Sequence, residues 1–243
     1  MTERARADDR VVGLVAVGSM ADRDYPPDEW SDHDFFLITK PGEQEALRSD
    51  LHWLPEHEEI VFAFRETEHG LRVLYGDGHL LEFAVFDVEE IALAGVNRYR
   101  TLLDRGGVEE ACAAVRAHPR PQHDDAHVFG MVLTVALVAI GRGRRGELLS
   151  AAFLVTWALT YLTRLITRVV PTENASILDN FDPLRRFEHA YPALGEELAA
   201  AVRLSPPEGA LRLLEVLERE VRPLRPDLPW HAFDAVIARG QRP

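Results

Sequence analysis

Three carboxylates stand where charge is expensive. Ser31-Asp32-His33-Asp34-Phe35-Phe36-Leu37-Ile38 opens an apolar run with two aspartates two residues apart. On a β-strand, positions i and i+2 project to the same face, so Asp32 and Asp34 would present two hard oxygen ligands side by side, away from His33. Carboxylates brought together on an apolar strand repel one another and lose hydration, and a divalent cation removes that cost. Mg²⁺ suits the pattern, because it accepts one or two protein carboxylates and completes its shell with water and substrate phosphates. In His79-Leu80-Leu81-Glu82-Phe83-Ala84-Val85-Phe86, Glu82 is the only charge in an apolar strand, a setting that demands pairing, a metal or a proton. On a strand beside Asp32 and Asp34 it completes a cluster able to hold metal ions and to deprotonate an attacking hydroxyl. Each piece has a plainer reading: a solvated loop or helix cap for the two aspartates, an outward strand position for Glu82. Their order along the chain, behind an apolar strand that ends in Gly18-Ser19, favours the chemical reading over the plain ones.

The elements that must position them are legible as periodicities. VVGLVAV (11–17) is a continuous apolar run, as expected of a central strand buried on both faces, and Gly18-Ser19 closes it. HDFFLIT (33–39), EIVFAFRE (59–66), LRVLY (71–75) and HLLEFAVF (79–86) read as further strands bounded by turn signals, with a helix over 42–54 marked by Leu47, Leu51 and Leu54. From about residue 88 the period becomes helical. Helices are expected over 88–106, over 108–118 up to Pro119 and Pro121, and over 124–140, 146–170, 183–202 and 207–222. The expected fold is α+β: a mixed-sheet domain over 1–107, then an all-helical bundle over 108–243, with the site in the cleft between them.

Composition limits the partners. A chain of 243 residues carrying 27 basic and 40 acidic side chains, net −13, has no broad basic surface, so nucleic acid is excluded as an expected partner. Cys112 alone forms no internal disulfide, and MTERARADDR has no apolar signal region, so a cytoplasmic location is expected. The longest uncharged apolar runs, Val128 to Ile140 and Leu148 to Leu162, are shorter than the ~20 residues that cross a bilayer, and core helices are expected instead of membrane spans.

VAVGSMADRDYPPDEWSDHDFFLI resembles the Gly-Ser…Asp-x-Asp signature of the DNA polymerase β-like nucleotidyltransferase superfamily, in particular the antibiotic nucleotidyltransferases and most of all those of the LinB lincosamide type. LLEFAVFDVEEI (80–91) looks like that family's third-carboxylate strand, and 125–166 like its helical substrate-binding half, including Arg145-Gly146-Glu147. The likeness extends over roughly 11–170. It implies that Gly18 and Ser19 hold a triphosphate at the start of the next helix and that Asp32 and Asp34 bind Mg²⁺ on the nucleotide phosphates. It further implies that Glu82 is general base, metal ligand or both, and that Glu147 faces the acceptor. The long segment from Gly18 to Asp32, with Pro26-Pro27, resembles the aminoglycoside enzymes as well. The reaction implied is transfer of a nucleoside monophosphate from ATP or another nucleoside triphosphate to a hydroxyl of a small molecule, plausibly a lincosamide or aminoglycoside, by an enzyme expected to be a homodimer. The alternative from another class is a regulatory, antitoxin-like module of the same fold acting on or binding a protein.

Three further features have structural readings. Gly141-Arg-Gly143-Arg-Arg-Gly146 matches a dinucleotide fingerprint in letters, but no acidic residue stands over 160–170 and the surroundings are helical, so an interhelical turn is expected. In His123-Asp124-Asp125-Ala126-His127 an aspartate N-cap explains the residues more simply than a metal. Trp157 and Tyr161, one helical turn apart, are core packing or the lining of an acceptor pocket.

Overall fold

Strand β1 (Val11–Val17) takes its central place because its branched side chains alternate between two apolar layers: Leu14 enters one buried cluster and Val15 the other. With β2 (His33–Thr39), β3 (Ile60–Arg65), β4 (Gly70–Tyr75), β5 (Leu80–Asp87) and β6 (Tyr99–Asp104) it forms one mixed sheet of order β3-β4-β5-β2-β1-β6. Strands β2 and β5 are parallel and every other pair is antiparallel. The computed structural model describes residues 1–21, 27–117, 123–179 and 181–242; Pro26, Pro119 and Pro121 lie outside the described residues.

The chain divides into two compact units, Met1–Pro121 and Gln122–Pro243. In the first, short helices α1 (Thr2–Ala7) and α2 (Gln44–Ser49) place Ala5 and Leu47 in the layer with Leu14, Phe35 and Phe83. The opposite layer is closed by α3 (Val108–Ala117), whose Val108 and Cys112 meet Val15 and Ile38. Gly13 permits that approach, since a Cβ there would stand 2.6 Å from Val108 Cγ2. Helix α3 therefore belongs with the sheet, and the division falls later than residue 107. Burial pushes the Cys112 thiol up to about 11, which fits an inert apolar packing role.

Two sequence expectations are corrected in this unit. The helix expected over 88–106 is a single 3-10 turn, Glu90–Leu93, followed by β6, because the otherwise open edge of β1 takes up Tyr99–Asp104 as a hydrogen-bonded partner. The helix expected over 42–54 ends at Ser49, although Leu47 and Leu54 are buried as the spacing required.

The second unit is helical: α4 (Asp125–Arg144), α5 (Leu148–Val169), α6 (Phe187–Ala190), α7 (Pro192–Ala201), α8 (Pro206–Val221) and α9 (Trp230–Gly240). Phe129, Leu162, Ile166 and Leu213 are wholly buried at its centre. The helix expected over 183–202 breaks at Tyr191-Pro192, and Pro192 starts α7 at its first position, where a missing N–H costs nothing. The glycine-rich segment is the turn between α4 and α5: Gly146 has φ +78° and Glu147 N donates to Arg142 O at 3.0 Å, closing the helix by a Schellman motif. As helices of 20 and 22 residues, α4 and α5 extend beyond the uncharged runs and are long and apolar enough to cross a membrane by length and composition, as core helices of a bundle also are. Their Val132, Ala136, Ala158 and Leu165 are fully buried against the rest of the bundle.

Candidate active site

Strand β1 is followed by Gly18, whose φ of +57° lies in the left-handed region and turns the chain sharply. A Cβ at this position would overlap the Asp34 carboxylate, so a side chain here would meet a strained backbone and displace that carboxylate. Gly18–Met20 is one 3-10 turn, and Arg100 Nη2 on β6 donates to Met20 O at 3.0 Å, pinning it. The helix expected to follow Ser19 falls on residues 22–26, which lie outside the described residues. What the turn offers is Ser19 Oγ, a buried hydroxyl with no hydrogen-bond partner among the described residues.

Asp28 and Ser31 shape the approach to β2: Asp28 Oδ1 accepts from Trp30 N at 3.0 Å and from Ser31 Oγ at 3.1 Å. Asp32 follows at once, immediately ahead of β2, and Asp34 is the second residue of that strand. Across the parallel pair Asp34 stands in register with Glu82 of β5, so the two project from one face. Asp32, Asp34 and Glu82 are all half-buried and each has a carboxylate oxygen within 4.8 Å of the others'. His33 takes the other face, where its ring meets His79 edge-on with centroids 4.3 Å apart. Burial and then the neighbouring His79 hold the His33 imidazole below its usual range.

Glu82 is the perturbed member. Burial pushes its carboxyl above the ordinary glutamate range, Asp32 and Glu66 push the same way, and Arg72 opposes them. Arg72, in register with Glu82 on β4, reaches Glu82 Oε1 at 2.6 Å and Glu66 Oε2 at 2.8 Å. Sequence reasoning passed over Arg72, yet its signal was that of Glu82: a lone charge in an apolar strand, Leu71-Arg72-Val73-Leu74-Tyr75.

Hard oxygen donors, a glycine whose Cβ would fill the cradle, and an orphaned buried hydroxyl beside it fit a divalent cation carrying a phosphate group. Gly18, Ser19, Asp32, Asp34 and Glu82 all lie in the sheet unit. Glu147 lies in the helical unit at the N-cap of α5, where Arg145 Nε donates to it at 2.7 Å and holds its carboxyl below the usual range. There too, Trp157 is 41% exposed, not core, in a row with Phe153 and Tyr161. Asp124 caps α4, accepting from His127 N at 2.8 Å, and Asp125 pairs with Arg168 and Arg225. Those carboxylates have structural employment.

No family model and no curated protein matches the chain. Among solved structures, the aminoglycoside 6-adenyltransferase from Bacillus subtilis is similar over 98% of this chain and 93% of its own, at 11% identity and a TM-score of 0.37. A nucleotidyltransferase-like protein from Exiguobacterium sibiricum 255-15 is similar over 100% and 78%, at 16% identity and a TM-score of 0.39. Both likenesses are distant.

Proposed function

We propose that the chain is a Mg²⁺-dependent nucleotidyltransferase that moves a nucleoside monophosphate from ATP, or another nucleoside triphosphate, to a hydroxyl of a small molecule, releasing pyrophosphate. The observation that carries this reading is the convergence of Asp32, Asp34 and Glu82 beside a glycine turn with a partnerless buried hydroxyl. The Gly-Ser…Asp-x-Asp resemblance supplies the reaction class, and with it a lincosamide or aminoglycoside acceptor, a role for Glu147 at that acceptor, a homodimer and a cytoplasmic location.

Bound between the carboxylates, divalent ions would neutralise the triphosphate and favour charge transfer to the leaving pyrophosphate. Asp32 and Asp34 would hold them, and their place at the mouth of a buried strand fixes their spacing. Ser19 Oγ donates to a phosphate oxygen, answering its missing hydrogen bond. Glu82 accepts the proton of the acceptor hydroxyl at a carboxylate oxygen, and burial raises that carboxyl's affinity for protons. The hydroxyl oxygen bonds to the α-phosphorus as the α–β anhydride bond breaks and pyrophosphate leaves in line.

The test is calorimetric titration with a non-hydrolysable ATP analogue, with and without Mg²⁺, for wild type and Asp32→Asn/Asp34→Asn. Mg²⁺-dependent binding that the double variant lacks supports the reading. Absence of binding to all four nucleoside triphosphates refutes it and favours the protein-binding module.

A further inference from the structure

On the side of Glu82 away from Asp34, the same face of the sheet carries an exposed apolar shelf. Register puts it there: Asp34 pairs with Glu82, Glu82 with Arg72, and Arg72 with Phe64, so these four side chains form one row across β2, β5, β4 and β3. The next row toward the end of β4 is Phe62, Leu74 and Leu80. Phe62 is 59% exposed, Phe64 44% and Leu74 37%, and the two rings lie 5.6 Å apart. With neighbouring strands ~4.8 Å apart, Phe64 stands about 10 Å from Glu82 across the sheet, the reach of a small molecule. Arg72 lies between, its guanidinium engaged by Glu82 and Glu66 and its alkyl stem continuing the apolar surface. Edge strand β3 would ordinarily be protected by charge; two exposed phenylalanines there are a liability kept for a use.

Resting on the nucleotidyltransferase reading above, we propose that Phe62, Phe64 and Leu74 form the acceptor subsite, and that the acceptor is an amphipathic hydroxyl compound whose apolar part lies on this shelf. Continuity with the carboxylate row selects this occupant, because a body resting on Phe64 and Arg72 brings its polar end to Glu82. A polycationic sugar has no apolar body to dry the rings and would meet Arg72 on the way to the base.

The test uses the full chain with Mg²⁺ and the ATP analogue present, and three probes: methyl β-D-glucoside, hexyl β-D-glucoside and kanamycin. The hexyl glucoside is expected to bind roughly tenfold more tightly than the methyl one, as burial of about two methylene groups gives. Phe62→Ser/Phe64→Ser abolishes that preference while nucleotide affinity and thermal midpoint stay as in wild type, and Leu74→Gln reduces it from the adjoining strand. Equal binding of the two glucosides, a tail preference that survives the double variant, or binding of kanamycin alone overturns the proposal. So does a wild-type dimer that the double variant converts to monomer, since a second copy would then own the shelf. A wild type that keeps its tail preference but binds no nucleotide refutes the transferase reading, and the acceptor role with it, while leaving the shelf a ligand site.

Discussion

In the helical unit Glu197 is gripped by Arg212 at 3.0 Å and Arg219 at 2.6 Å, and the Arg219 hydrogen bond draws its carboxyl below the ordinary glutamate range. In the sheet unit Glu82 has one arginine, three acidic neighbours and a half-buried position, and its carboxyl rises. Folding thus favours the charge on Glu197 and opposes the charge on Glu82. A carboxylate that the fold works against is a candidate for chemistry, whereas one that the fold satisfies is structural. Asp125 is likewise paired with two arginines, Arg168 and Arg225.

The largest expected effect comes from Asp34→Asn, which removes a carboxylate oxygen from the proposed metal site and should lower Mg²⁺-dependent transfer on the order of 10³-fold. Thermal melting should change little, and a variant that keeps wild-type activity would break the contrast between the units. Glu82→Gln should reduce the rate roughly 10²–10⁴-fold yet raise the thermal midpoint at neutral pH. The sign follows from linkage: a raised folded pKa means that the penalty of ionisation is absent at low pH, grows as pH rises past the unfolded value and is complete above the folded one.

Gly18→Ala should cost roughly 1–2 kcal/mol for its left-handed backbone and, by displacing the Asp34 carboxylate, weaken Mg²⁺-nucleotide binding, read by calorimetry beside a melting curve. Alanine at Gly42, which also has positive φ but nothing near its Cβ, should show the backbone cost alone. The smallest effect is that of Glu197→Gln: a loss of at most about 1 kcal/mol at neutral pH, with nucleotide binding unchanged. Its folded pKa is lowered, so the stabilisation is present above the unfolded value and disappears as pH falls through the folded one. Melting curves of wild type and Glu197→Gln should therefore converge in acid.

Much of the sheet was legible because strands β1, β2, β4 and β5 alternate or run apolar between turn residues. The three carboxylates were legible because charge in such runs has few explanations. Strand β6 was misread: Tyr99-Arg100-Thr101-Leu102-Leu103-Asp104 fits either period, and only the unfilled edge of β1 decides between them. Helices α1 and α9 carried too little pattern at the chain ends to stand out. Trp157 shows the converse limit, since one-turn spacing with Tyr161 fixes a helix face but not whether that face is covered.

By itself the sequence singled out three carboxylates suited to a metal: residue types and the two-residue period of a strand point to them locally. Only the tertiary structure decided the company they keep. Placing Glu82 opposite Asp34, Arg72 opposite Glu82, and Phe64 at the end of the same row depends on strand order and register, which arise from pairing between segments distant in the chain. No local periodicity carries that information.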